Sequence, residues 1–303
     1  MRFRPRVVYS RGAGCAELAE ILAGDQALKA SGDLAEDCRN HRADLHVARK
    51  LTGFDLVSTA VPTNFEPDSV ESVVATVAGG PHSVLAAEIA AILGERLAVP
   101  AKIISIHRTG DDLEAAKNAI AVTSEAVPQL ETSVVEIDKI RRIGEVLEGE
   151  SLLVFGAPGG SFLTRQIFGA GARLRSGSPG GKVLVRRAPP RVFQHMDSPV
   201  FVGALREASD ALALHPEDVL AVADDSRLVG VVRRSDLASA PPGTTVESVM
   251  GEPIAASVDD AIDDLFENGS WVGENPLPVI DDQGNLVGSL VLDGMSSRSD
   301  RAS

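Results

Sequence analysis

Residues 154–177 read VFGAPGGSFLTRQIFGAGARLRSG. The stretch leaves an apolar run, places Gly156, Gly159 and Gly169 at increasing distance from it, and then turns basic. A strand that ends in glycines and leads into a helix presents backbone N–H groups and the positive end of a helix dipole, and a phosphate can sit there. The same glycines also serve a fold with no ligand at all, through tight turns and close helix–sheet approach. Both readings stay open at this point.

Around that stretch, residues 72–188 alternate apolar runs with amphipathic segments. SVVATVAGG predicts a strand, and Pro81 opens a helix with Leu85, Ile89, Ile92/Leu93 and Leu97 on one face. KIISIHR is a second strand, followed by a helix from about Asp111 to Val127 with acids in its first turn. TSVVEID, a short helix IRRIGEVLEG, SLLVFGA, a helix after Ser161 and the strand GKVLVRR complete the set. Strands separated by helices imply a parallel sheet covered on both faces, here a five-stranded α/β domain over 71–190.

The glycine spacing G-x2-G-x9-G, in this strand–helix order, resembles the nucleotide-binding signature of the universal stress protein family. The resemblance covers about residues 72–188. It implies a Rossmann-like fold with ATP across the carboxyl edge of the sheet, held by Gly156, Gly159 and Gly169 and by the turn Gly79-Gly80-Pro81. Two departures stand out. The family places Ser or Thr after the last glycine, where this chain has Ala170, and ATP-binding members end the first strand with Asp, where this chain reads VAGGPHS. That glycine-proline turn resembles family domains attached to transporters.

From Ser161 to Met196 there is no acidic residue, yet Arg165, Arg173, Arg175, Lys182, Arg186, Arg187 and Arg191 all occur. Three readings are open: a funnel for ligand phosphate, a dock for an acidic module, or a solvated basic face. The acidic module is in the chain itself. The net charge of −14 lies wholly in residues 196–303, with 6 basic against 20 acidic side chains, while residues 1–195 hold 23 of each. Such a break in charge marks a domain boundary. Net acidity disfavours nucleic acid and anionic membrane surfaces as partners, although it also serves solubility alone.

Beyond residue 196 the texture changes. HPEDVLAVADDSRLVGVVRRSDLA and ENPLPVIDDQGNLVGSLVLDGM follow one pattern: an apolar strand, an acidic turn, a second strand starting at Gly230 or Gly288, then a helix or its stub. The segments LREASDALAL and SVDDAIDDLFEN precede them as helices. A repeat of roughly fifty residues of this kind packs against its twin. GVVRRSDL, residues 230–237, resembles the end of a CBS motif, and the two copies resemble an α+β CBS pair over 196–295. The family signature G-h-x-[ST]-x-x-D implies a hydroxyl beside phosphate and an Asp on ribose. Here Asp236 matches the acid, Arg233 stands at the hydroxyl position, and Gly230, Arg234 and Ser235 complete the segment. An arginine can hold phosphate through several donors. In the second copy the corresponding positions are Val291 and Gly294, so at most one site is expected, organised around Asp236. Asp236 as the N-cap of a helix beginning LAS is the structural alternative.

Residues 1–70 form an amino-terminal extension that reads less clearly, either a helical cap or the worn remnant of a preceding copy of the domain. CAELAEILAG and DLAEDCRNHRADLHVARKL look helical, and FDLVSTAVP is a candidate strand. The tail 296–303 is small and polar, which predicts disorder. Gly12-Ala13-Gly14 fails as a dinucleotide fingerprint because the third glycine position is Glu17. The six histidines are scattered without metal spacing, and no nucleophile elbow or P-loop occurs. The chain is therefore expected to be no enzyme and to require no cofactor. Cys15 and Cys38 form no disulfide framework, and no run suits a signal peptide or a membrane span, so a cytoplasmic setting is expected.

The two resemblances imply a regulatory or stress-response protein that binds an adenine nucleotide (AMP, ADP or ATP) and works as a homodimer. The alternative is a nucleotide-independent interaction protein with degenerate sites, associated with a membrane transporter.

Overall fold

The computed structural model describes residues 3–108, 113–137, 147, 149–157, 180–268 and 275–292. The chain divides into two compact units, residues 1–188 and 189–303.

The first unit is built on one sheet of nine strands rather than the five expected, because the amino-terminal seventy residues extend it. Its strands are β1 (Val7–Tyr9), β2 (Leu28–Lys29), β3 (Leu45–Val47), β4 (Ser58–Thr63), β5 (Ser72–Val77), β6 (Ala101–Arg108), β7 (Glu131–Ile137), β8 (Ser151–Gly156) and β9 (Lys182–Arg186). The spatial order is β2-β1-β3-β4-β9-β8-β5-β6-β7. All neighbours are parallel except β4 and β9, which pair antiparallel with Thr59 opposite Arg186 and Thr63 opposite Lys182. Two parallel blocks thus meet edge to edge and point their carboxyl ends to opposite margins of one sheet.

Four helices go with these strands: α1 (Cys15–Ala23), α2 (Leu34–Asn40), α3 (Pro81–Leu97) and α4 (Leu113–Ala126). The segment read as one long helix from Asp33 breaks after Asn40. Arg42 takes a positive φ of 50°, and residues 45–47 enter the sheet as β3. Helix α3 shows how local chemistry sets these elements. Pro81 occupies the first helical turn, where its missing N–H costs nothing. Leu85, Ile89 and Leu93, one turn apart, are buried. The helix ends at Ala98, left-handed at φ 56°, and Val99 N–H returns to the Gly94 carbonyl. A Cβ on Gly94 would lie 2.6 Å from Ala101 Cβ, so only glycine permits this tight return into β6. One core joins both blocks, running from Val7, Leu45 and Ala60 through Val183 and Val185 to Val73, Ala75 and Leu152, under α1 and α3.

The second unit carries two three-stranded sheets, β10 (Phe201–Gly203), β11 (Val219–Asp224), β12 (Arg227–Arg233) and β13 (Ala256–Ser257), β14 (Leu277–Ile280), β15 (Leu286–Leu290). Each sheet pairs its first strand parallel to its second and its second antiparallel to its third. The helices are α5 (Val192–His195), α6 (Ala208–Leu214), α7 (Arg234–Ser239) and α8 (Ile262–Asn268). The repeat extends to the pairing itself. Val222 lies opposite Gly230 and Val279 opposite Gly288, and both hairpins shift register one step later, after Val222 and after Val279. The two glycines sit inside β12 and β15 rather than at their starts, which are Arg227 and Leu286.

Candidate nucleotide sites

In the first unit, β5 lies between β8 and β6, so the chain leaves β5 toward β6 and β7 and later returns to its other side. Ligands in open α/β sheets sit at such a reversal, outside the carboxyl ends of the strands. At this one, Gly79 and Gly80 follow β5 with φ of 88° and 80°, a conformation that excludes most side chains. Gly80 then caps α3 without a side-chain bond. Ser83, 5% exposed, closes the turn on itself. Its Oγ accepts from Ala78 N–H at 3.1 Å and donates to the Gly79 carbonyl at 2.9 Å. A serine in the first turn of the helix thus braces the loop.

Gly156, at the end of β8, faces His82. A Cβ there would lie 2.8 Å from His82 Cβ and 3.0 Å from its carbonyl carbon. Helix–strand contact therefore demands this glycine whether or not a ligand binds. The same histidine accepts Arg187 N–H on Nδ1 at 3.0 Å, and the Arg187 guanidinium pairs with Glu88 at 2.9 Å. These contacts tie the start of α3 to the chain following β9, across about a hundred residues of sequence, and no local pattern announces them. Gly159, Gly169 and Ala170 lie outside the described residues, as do Arg165, Arg173 and Arg175.

In the second unit the repeats clasp each other. The segment leading into the second copy crosses β12 of the first: Val231 and Gly251 exchange backbone hydrogen bonds of 3.3 and 2.8 Å. The segment leading into the first copy crosses β15 of the second, where Asp197 and Ser289 exchange bonds of 2.8 and 3.1 Å. Both crossings pass over the repeat glycine. A Cβ on Gly230 would meet the Gly251 carbonyl at 2.6 Å and Met250 Sδ at 2.8 Å; one on Gly288 would meet Met196 Sδ at 2.8 Å and the Asp197 carbonyl at 2.9 Å. Between the copies, Leu228 N–H bonds to the Gly284 carbonyl and Leu286 N–H to the Ser226 carbonyl.

Beyond Gly230 come the other residues of the motif. Arg233 is exposed and occupies the N-cap position of α7. Arg234 begins the helix. Its N–H donates to the Asp218 carbonyl at 2.8 Å and its guanidinium donates to the carbonyls of Leu212 and His215, which tethers α7 to the end of α6. Ser235 and Asp236 are exposed, with Ser235 Oγ donating to Asp236 Oδ1 at 3.3 Å. The structural alternative for Asp236 fails in detail, since the cap is Arg233 and the acid stands in the first helical turn. There a carboxylate faces the positive helix end. Of the matching end of the second copy the described residues are Val291, 48% exposed, and Leu292, buried.

Among the described residues, no helix is long and apolar enough to cross a membrane, and no three His, Cys, Asp or Glu side chains are grouped to hold a metal ion.

The second unit is thus a duplicated strand–helix–hairpin module whose copies clasp one another. Solved structures to which the chain is similar include CBS pairs. One is CBSX2 in complex with AMP, at 27% identity, 33% of this chain, 89% of the other and a TM-score of 0.30. Another is the CBS domain of a bacterial CNNM/CorC family Mg2+ transporter in complex with ATP, at 23% identity, 34% and 81% coverage and a TM-score of 0.30. A third, from CBSX2 of Arabidopsis thaliana, has 25% identity, 33% and 87% coverage and a TM-score of 0.31. No family model matches the chain and no curated protein matches it.

Proposed function

We propose that the protein is a regulatory adenine-nucleotide sensor whose second unit is a CBS pair with one working site, at the end of β12. The observation that carries this reading is the clasp. The motif residues Arg233–Asp236 begin two positions after Val231, which is bonded to Gly251 at the entrance to the other copy. A nucleotide seated against Asp236, with its phosphates on Arg233, bears on that crossing and so on how the copies pack. Such a ligand acts only through its different affinity for the two packings. The resemblance of the repeat to CBS motifs supplies the ligand class, and Val291 and Gly294 at the positions of Arg233 and Asp236 supply the asymmetry. In the first unit, the strand order β7-β6-β5-β8-β9 and the paired glycines fit a universal-stress-like domain. A homodimer is the assembly both resemblances imply.

One observation favours a second reading, an interaction protein without nucleotide that acts on a transporter or other partner. The contact of Gly156 with His82 accounts for that glycine without any ligand. A thermal-unfolding panel with ATP, ADP, AMP, a cyclic dinucleotide and S-adenosylmethionine separates the two. A ligand at about 100 times its dissociation constant adds roughly 2.7 kcal/mol. The sensor predicts a shift with an adenine nucleotide that Asp236→Ala abolishes. A shift that survives Asp236→Ala moves the site to the glycine turn of the first unit, and no shift with any ligand supports the interaction protein.

A further inference from the structure

The chain passes from the first unit to the second through one short junction, Arg187-Ala188-Pro189-Pro190-Arg191. Two prolines in succession leave it little freedom, since each ring fixes its own φ and restricts the residue before it. Each end of the junction is fastened inside its own unit. In the first unit, Arg187 N–H donates to His82 Nδ1 at 3.0 Å and its guanidinium pairs with Glu88 at 2.9 Å. Ala188 N–H donates to Ser58 Oγ at 3.2 Å. In the second unit, the Pro190 carbonyl accepts Ile262 N–H at 2.9 Å, and the Arg191 guanidinium donates to the Asp259 carbonyl at 3.0 Å. The N–H groups of Val192 and Phe193 follow, donating to the carbonyls of Asp260 and Val258 at 3.0 Å each. A single residue, exposed Pro189, separates Ala188, held by the first unit, from Pro190, held by the second.

A separate observation concerns which copy of the pair does the holding. Val258, Asp259, Asp260 and Ile262 lie where the second copy passes from β13 into α8. The chain then runs through α5, with Val192 buried among Ala256, Leu277 and Leu290, and Asp197 crosses β15 of that same copy at Ser289. The segment arriving from the first unit is thus seated on the second copy before it enters β10 of the first. The motif residues Arg233–Asp236 belong to the first copy. Residues 251–262 join the two places, since Gly251 exchanges bonds with Val231 and Val258–Ile262 hold the junction.

We infer that the two copies divide the work: the first senses, and the second, through the diproline junction, passes the change to the start of α3 in the first unit. The inference rests on the proposed nucleotide site at Asp236. A ligand that alters how the copies pack displaces the second copy against the first at the Val231–Gly251 crossing. The junction has no slack to absorb that displacement. It arrives at Arg187 and so at His82, directly after the turn Gly79-Gly80-Pro81. Whatever the first unit binds at that turn acts back on the pair by the same factor.

Amide exchange of the full chain, with and without saturating ATP, is the test. ATP is expected to change exchange at Val231 and Gly251, and by about fivefold or more at Arg187 and Ala188, the lower end of ordinary coupling between sites. Two variants loosen the junction and keep its bonds: Pro189→Gly combined with Pro190→Gly, and an insertion of Gly-Ser-Gly-Ser between Ala188 and Pro189. Either should retain the response at Val231 and Gly251 and lose the one at Arg187 and Ala188. Asp236→Ala should lose both. A response at Arg187 and Ala188 that survives the insertion, or survives Asp236→Ala, would overturn the inference. So would its absence from the unaltered chain while Val231 and Gly251 respond. No response to ATP at any of these amides would remove the sensor reading itself, and the inference with it.

Discussion

The two copies in the second unit share a backbone and differ in chemistry. Each places a glycine at the same step of its hairpin, opposite Val222 or Val279, and each lays the other copy's entrance segment over it. At the end of the third strand they part: Arg233 stands in one copy where Val291 stands in the other, and Asp236 in one where the sequence of the other has Gly294, outside the described residues. Duplication has kept what packing requires at both places, and on the proposed function what a ligand requires at one. A motif position held for packing is therefore recognised by its being filled identically in both copies, and a candidate binding position by its being filled in one.

The glycines offer the largest way to break this comparison. Gly230→Ala drives a Cβ to 2.6 Å from a backbone carbonyl and Gly288→Ala to 2.9 Å from one, each with a methionine sulfur at 2.8 Å. Overpacking of this kind costs about 1–3 kcal/mol, and Gly230→Ala is expected at the upper end with Gly288→Ala about 1 kcal/mol milder. Urea unfolding of the two variants measures the difference. Equal small effects would mean that the crossings are loose.

His46 sets a pH dependence confined to the first unit. Burial holds its imidazole down to about 4, from an ordinary value of 6.5. The folded state keeps it neutral, so the unfolded state binds more protons between those values, and stability falls as pH drops from 6.5 toward 4. The whole loss from this one group is of order 3 kcal/mol at most. His46→Gln should flatten that part of the profile, read by denaturant unfolding of the first unit's transition. An unaltered slope would mean that other groups govern it.

The adjacent arginines of the motif should separate by a smaller amount. Arg234→Ala removes a guanidinium bonded to two carbonyls at the end of α6, and about 1.5–3 kcal/mol is the ordinary scale for hydrogen bonds to a charged group. Since Arg234 is only part-buried, about 1 kcal/mol is expected. Arg233→Ala, at an exposed position, should change unfolding by less than about 0.5 kcal/mol and weaken nucleotide binding instead. Thermal unfolding with and without ATP distinguishes the two.

Much of this architecture was legible in the sequence because long elements carry their own periodicity. The helix from Pro81 and the strands from Ser72, Ala101 and Ser151 each span six residues or more. In the amino-terminal block α1, α2 and β4 were legible, but β1, β2 and β3 were not, because β1 and β3 are three residues long and β2 only two, too short to show alternation. Leu45–Val47 in particular sits among charged residues that continue the helical texture of α2. The start of β12 at Arg227 was hidden by its polar first residue and by the glycine at its centre. Asp236 was singled out by the resemblance of GVVRRSDL to a CBS motif. Arg234 as a tether, Ser83 as a brace and the link from Arg187 to His82 could not, since each depends on a partner brought near only by folding.

Hydrogen exchange of the full chain with and without saturating ATP tests most directly the claim that one copy binds and the clasp carries the signal. The account predicts slowed exchange over residues 233–239 and at the amides of Val231 and Gly251, with Ser289 and residues 290–292 unchanged. Equal protection of the two copies, or protection that leaves Val231 and Gly251 untouched, would contradict it.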